Sequence, residues 1–199
     1  MDPNTPITTV YFLRHAEADN SVRDGRIRPL TEKGAADIRL LPAAFKDIHI
    51  DRVYSSPFKR AVDTVTPVAW ACGLDITLIE DFRERRSDSV QSIPMPALIS
   101  MQWKDFSYTL SDGECLAAVQ RRNIAALRGV LDEAAGMTIV IGTHGMALCT
   151  MMKYFNEAMG EQEVAYILPR MPCIERMVFA GGELTGMKEV MIDGVRYHL

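Results

Sequence analysis

The run TVYFLRHAEADN (9–20) climbs through apolar residues to Leu13 and stops on a cation and an imidazole side by side, Arg14 and His15. Three further groups of related chemistry stand far along the chain: Arg60 in VYSSPFKRAVDT (53–64), Glu84 in DFRERR (81–86) and His144 in GTHGMAL (142–148). Guanidiniums hold oxyanions in planar, bidentate fashion, whereas imidazoles and carboxylates can exchange protons with a bound group. The set suits a small anion. Taken one at a time, each residue has a duller reading: Arg60 as a solvated helix charge, Glu84 as an ion-pair partner of nearby arginines, His144 as a turn residue. Their combined meaning depends on the elements that carry them.

Those elements alternate. ITTVYFL (7–13) is β-branched and aromatic and predicts a strand. LTEKGAADIRLLPAAF (30–45) predicts a helix opened by Thr31 as N-cap and interrupted at Pro42. IDRVYSS (50–56) is a second strand, running into a helix that starts at Pro57 and stops at Gly73. DITLIED (75–81) is a short third strand, and residues 114–135 form a helix with Leu116, Val119, Ile124, Leu127 and Leu131 on one face. MTIVIG (137–142) is a buried fourth strand, MALCTMMKYF (146–155) a helix, and the tail holds two or three antiparallel strands around Gly181-Gly182. Alternation of this kind predicts an α/β fold with a mostly parallel sheet covered on both faces. Between residues 85 and 112 the period fails, so this stretch reads as a lid-like insertion in a single domain spanning 1–199. Within it Met101, Trp103, Phe106 and Tyr108 either contact an apolar or sugar moiety or pack the insertion down.

In an open parallel sheet, ligands gather at the carboxyl ends of the strands. The first strand delivers Arg14 and His15 to that edge, the second leads to Arg60 in the first turn of its helix, the third is followed by Glu84, and the fourth ends near His144. Gly142 and Gly145 bracket His144 at a strand-to-helix turn, where backbone N–H groups and the positive end of a helix favour an anion. Gly145 therefore joins the anion-binding set. His49 and His198 lie away from the strand ends and read as ordinary residues.

Composition narrows the partners. A hydrophobic fraction of 48% and a charged fraction of 24% are those of an ordinary globular protein. A net charge of −4 argues against nucleic acid or an acidic membrane as partner. The four cysteines are scattered without metal-ligand spacing, which predicts reduced thiols in a cytoplasm and neither zinc nor disulfides. No run approaches ~20 apolar residues, and MDPNTPITTV lacks the pattern of an export signal.

Six segments in this order, LRHAE (13–17), PLTEKG (29–34), VYSSPFKRAVDT (53–64), DFRERR (81–86), DGE (112–114) and GTHGMAL (142–148), resemble the histidine phosphatase superfamily, also called the phosphoglycerate-mutase-like family. The resemblance implies a three-layer α/β/α sandwich and a phosphorylated-histidine intermediate. It assigns His15 as nucleophile, Arg14, Arg60 and His144 as the phosphate pocket, and Glu84 as proton donor. A small phosphorylated metabolite is the implied substrate. Phosphoryl transfer is mainly positioning and charge neutralisation, so such a site needs no metal and no cofactor. Neutral His15 must attack, and the neighbouring Arg14, Arg60 and His144 should lower its pKa by disfavouring another cation. The chain departs from the family pattern at Ala16, at Asn20 without a preceding Trp, at Thr143 and at Cys115. Hydrolysis is favoured over a mutase reaction because RRSDSV (85–90) does not follow the mutase pattern. A protein phosphohistidine phosphatase and a noncatalytic phosphate-ligand sensor are further alternatives.

Overall fold

A computed structural model describes residues 4–87 and 93–190. Four strands run parallel: β1 (Ile7–Arg14), β2 (Arg52–Ser55), β3 (Ile76–Leu78) and β4 (Thr138–Thr143). Two more, β5 (Cys173–Ala180) and β6 (Glu183–Glu189), add antiparallel at the β1 edge, giving the order β3-β2-β4-β1-β5-β6. The sheet is therefore mixed but mostly parallel, as the alternation of elements predicts. From Val10 to Leu13 and from Ile139 to Ile141 consecutive residues are buried, which requires cover on both faces of the sheet.

Seven α-helices accompany the sheet among the described residues: α1 (Glu32–Asp37), α2 (Leu41–Ala44), α3 (Lys59–Cys72), α4 (Met95–Lys104), α5 (Leu116–Glu133), α6 (Gly145–Phe155) and α7 (Glu161–Ile167). Thr31 caps α1 by accepting from the Gly34 N–H at 3.0 Å. The predicted interruption falls at a 3-10 turn, Ile38–Leu40, with Pro42 in the first turn of α2, where its missing N–H is harmless. α3 begins at Lys59 rather than Pro57, because Phe58 keeps an extended backbone and serves as N-cap. It ends as expected on Gly73, whose φ of 67° is the left-handed region glycine tolerates. α5 buries Leu116, Val119, Ile124, Leu127 and Leu131, the predicted face.

The largest departure lies between residues 85 and 112, which hold α4 where no regular element was expected. Its buried positions are Leu98, Gln102 and Trp103, so one of the three is polar and the apolar stripe is too narrow to show as a period. Gln102 donates to the Tyr108 carbonyl at 3.2 Å, and Trp103 meets Phe106 edge to face at 5.2 Å between centroids. Residues 88–92 of this stretch, His198 and any third strand of the tail fall outside the described residues.

The loop after β1 is clamped by α1. Thr31 donates its N–H to the Glu17 carbonyl at 2.9 Å and its hydroxyl to Glu17 Oε1 at 2.8 Å. Gly34 lies so close that a Cβ on it would stand 2.2 Å from the Glu17 carbonyl oxygen. Alanine gains about 1 kcal/mol of helix propensity over glycine, but forcing a methyl into backbone typically costs 1–3 kcal/mol, and here the displaced partner cannot rotate away. Gly34→Ala is thus expected to lower stability by about 1–2 kcal/mol in denaturant unfolding. An unchanged midpoint would show that the clamp yields freely.

Candidate active site

Strand register brings the predicted residues together. Arg14 pairs with Thr143 and Ser55 with Gly142, so the residues that follow, His15, His144 and Ser56, emerge side by side at the carboxyl edge. The His15 N–H donates to the Thr143 carbonyl at 3.1 Å and the Ser56 N–H to the Gly142 carbonyl at 2.9 Å, extending the ladder by one step. The two imidazoles stand 5.2 Å apart between ring centroids. Thr64, one turn into α3 from Arg60, accepts from the Ala16 N–H at 3.0 Å and donates to the Arg60 carbonyl at 2.6 Å, tying the loop after β1 to α3.

His15 Nδ1 lies 2.7 Å from its neighbour's carbonyl, Ala16 O. A carbonyl can only accept, so Nδ1 carries the proton and Nε2 keeps its lone pair. Burial, then the Arg60 and Arg14 charges, hold the His15 pKa well below the usual imidazole value near 6.5. His144 is lowered as well, by burial first and by Arg60 and His15 next. Both rings are neutral at pH 7. His144 is fully buried behind His15, with Nε2 at 2.7 Å from Ser56 Oγ and Nδ1 buried without a partner.

The guanidiniums are fixed by carbonyls rather than by carboxylates. Arg14 Nη1 donates to Ile167 O at 2.8 Å and Arg170 O at 3.0 Å, at the carbonyl end of α7, which leaves Nη2 for a ligand. Gly145 allows this approach, because a Cβ there would stand 3.1 Å from the Arg14 guanidinium carbon. Arg60 Nη1 donates to Gly25 O at 2.6 Å, and its guanidinium lies 5.2 Å from the Phe58 ring centroid. Burial lowers the Arg60 pKa to about 10, still charged at neutral pH. With their charges unneutralised by a carboxylate at hydrogen-bond distance, two buried cations favour an oxyanion between them.

Glu84 takes the place expected for an anion at the helix start. Its carboxylate accepts from the Met146 N–H at 3.1 Å and the Ala147 N–H at 3.2 Å, the first turn of α6, and from the Arg85 N–H at 2.8 Å. A network behind it fixes the backbone: Arg122 donates to the carbonyls of Asp81 (2.6 Å), Arg83 (2.8 Å) and Glu84 (3.3 Å), and to both oxygens of Glu114. Arg83 reaches Glu114 at 2.7 Å. Burial resists ionisation of Glu114, but hydrogen bonds from Arg122 and Arg83 and the Arg122 charge outweigh it and bring the pKa down to about 2. This explains the Glu of the DGE segment, which the sequence offered only as part of a resemblance.

These residues meet a cavity of about 680 Å³ lined by Arg14, His15, Arg60 and Glu84. Arg28, Arg85 and Trp103 also line it. Spacing alone did not single out Arg28 and Arg85 from the other arginines. Asn20 borders the cavity, but its amide oxygen accepts from Arg28 Nη1 at 3.1 Å. Of the four aromatic and methionine residues expected in the insertion, Trp103 reaches the cavity, while Met101 is exposed. His49 is exposed beside Asp51 and away from the site. Among the described residues no three His, Cys, Asp or Glu side chains gather where they could hold a metal ion, and no helix is long and apolar enough to cross a membrane.

An α/β fold that gathers two guanidiniums, two imidazoles and a carboxylate at one sheet edge has the charge and hydrogen-bonding groups that suit a tetrahedral oxyanion. The sequence signature of the histidine phosphatase superfamily, branch 1, matches residues 10–185, and the chain belongs to that superfamily. It is 28% identical over 151 residues to "Probable phosphoglycerate mutase GpmB" of Yersinia pestis, covering 70% of each chain. Its fold matches Bacillus stearothermophilus YhfR with a TM-score of 0.73 at 24% identity, over 94% of this chain and 96% of that one. A phosphoserine phosphatase from Entamoeba histolytica, solved with phosphoserine, matches with a TM-score of 0.72 at 21% identity, over 96% and 100% of the two chains.

Proposed function

We propose that this protein is a phosphomonoesterase acting through a phosphohistidine on His15, with a small phosphorylated metabolite as substrate. The observation that carries the reading is the 2.7 Å contact of His15 Nδ1 with Ala16 O, which leaves Nε2 unprotonated in a site flanked by Arg14 and Arg60. Arg14 and Arg60 neutralise the nonbridging oxygens, and His144 exchanges the Ser56 hydroxyl for one of them as charge develops. Nε2 attacks phosphorus, the P–O bond to the leaving group breaks, and Glu84 passes to the departing oxygen a proton it has received from the incoming phosphate monoanion. Water then attacks the phosphohistidine with Glu84 as base, releasing inorganic phosphate and free His15.

The test is phosphate release from an aryl phosphate by chelator-treated protein. Turnover is expected to survive EDTA. Inactive metal-stripped protein that magnesium restores would rule out this mechanism. The likeness to a probable phosphoglycerate mutase favours a second reading, a mutase, which returns the phosphoryl group to another oxygen of the substrate. An alkyl phosphate with no second hydroxyl separates the two, since only a phosphatase turns it over.

The lowered His15 pKa sets the pH dependence. The phosphorylation step needs neutral His15, so its rate is expected to hold from pH 7.5 to pH 6 and to fall only below the usual imidazole range. An acid limb centred near 6.5 in rapid-mixing data would contradict the buried placement. Stability follows the same sign: the folded state resists protons that unfolded histidines take up, so the contribution of His15 and His144 is complete above about 6.5 and is lost as pH falls.

A further inference from the structure

The cavity is two-sided, and the mechanism uses only one side. Arg14, His15, Arg60 and Glu84 form a polar floor at the sheet edge. A second, apolar wall comes from α4, α7 and the segment after α7: Met95, Ile99, Trp103, Val164, Leu168 and Met171. Two polar side chains interrupt that wall, and they engage each other, Ser100 Oγ donating to Glu161 Oε2 at 2.7 Å with Lys104 Nζ 3.6 Å from Glu161 Oε1. Arg28, at the rim, has its guanidinium engaged by Val22 O, Asn20 Oδ1 and Arg23 O at 2.8, 3.1 and 3.4 Å. A phosphoryl group fills a small part of 680 Å³, and much of the remainder is faced by these apolar side chains.

We propose that the leaving group this wall accepts is a bulky apolar alcohol, so that the substrate is the phosphate monoester of a lipid-like or aryl-alkyl alcohol rather than of a polyol or sugar. Against those six apolar side chains a polyol would lose hydrogen bonds to water without finding partners, whereas each buried methylene gains from leaving water. Arg85 marks the seam between floor and wall: Nη2 lies 3.0 Å from Met95 Sδ, and Nη1 is buried without an acceptor. A phosphate ester supplies oxygen at that seam, and the apolar body extends beyond it. Methionines at 95 and 171 let the wall adjust to differing shapes.

The inference rests on the proposed phosphatase reading, so the experiment has one arm that does not need turnover. In the first arm, kcat/KM is measured for ethyl, butyl and hexyl phosphate and for glycerol 3-phosphate, all esters of primary alcohols, so that leaving-group basicity varies little. The expected result is a rise of about two- to fourfold per methylene, with hexyl phosphate above glycerol 3-phosphate by tenfold or more. In the second arm, the matching alkylphosphonates are titrated by calorimetry, and affinity is expected to rise along the series. Ile99→Asn should flatten both slopes. A flat or falling series with an active enzyme, or glycerol 3-phosphate preferred to hexyl phosphate, overturns the proposal. If no ester is hydrolysed while phosphonate affinity still climbs, the phosphatase reading fails and the apolar subsite stands; if neither responds to chain length, the subsite fails.

Discussion

His15→Ala is expected to abolish turnover and to remove all acid-labile phosphate from protein quenched during a single turnover. His144→Ala should still be labelled on His15, with phosphorylation slowed about 10²–10³-fold, the scale of losing one preorganised partner for a developing negative charge. The contrast follows from how the rings are held. His15 lines the cavity with one nitrogen engaged by Ala16 O and the other unengaged. His144 has no exposed surface, and its Nε2 faces the Ser56 hydroxyl. Attack by His144 would need its buried ring to move past His15, 5.2 Å away. Peptide mapping that placed the phosphate on His144, or labelling that persisted in His15→Ala, would reverse the assignment.

What could be read before the structure was the set of strand ends. Arg14-His15 and His144 close buried apolar runs, and a parallel pair places such ends level with each other, so their meeting follows from pattern and topology. Arg60 was legible as a first-turn residue of the helix after β2. Position alone made Glu84 a carboxylate following the third strand, and its role as proton donor came from the resemblance. Its hydrogen bonds to Met146 and Ala147 span more than sixty residues, and no local spacing encodes them. Backbone N–H groups expected to stay available for a bound anion are thereby occupied by a side chain of the protein itself.

The wall of the cavity was illegible for a different reason. A helix advertises itself when its apolar stripe faces a core, but α4 divides its apolar residues between the core and the cavity and buries a glutamine between them. Arg83, Arg85 and Arg86 look equivalent in sequence. Through-space partners separate them, Arg83 to Glu114, Arg86 to the Asp112 carbonyl and Arg85 to the cavity.

Glu84→Gln is expected to slow hydrolysis of an alkyl phosphate by about 10²–10⁴-fold, the usual range for general acid catalysis, while phosphorylation by a nitrophenyl phosphate falls less than about tenfold. An alkoxide needs a proton to leave, whereas a nitrophenolate does not. The Glu84 carboxylate accepts from three donors, the N–H groups of Met146, Ala147 and Arg85, so the substitution also has a structural side. Glutamine can keep its oxygen on Ala147 and Arg85, but its amide nitrogen then meets the Met146 N–H, which loses its acceptor. Steady-state rates would mix this effect with the loss of a base for water attack, so the decisive measurement is the pre-steady-state burst of nitrophenolate. A preserved burst followed by slow turnover assigns both the acid and the base role to Glu84. A burst that falls as steeply for the aryl ester as for the alkyl ester would mean that Glu84 organises the start of α6, and that another group supplies the proton.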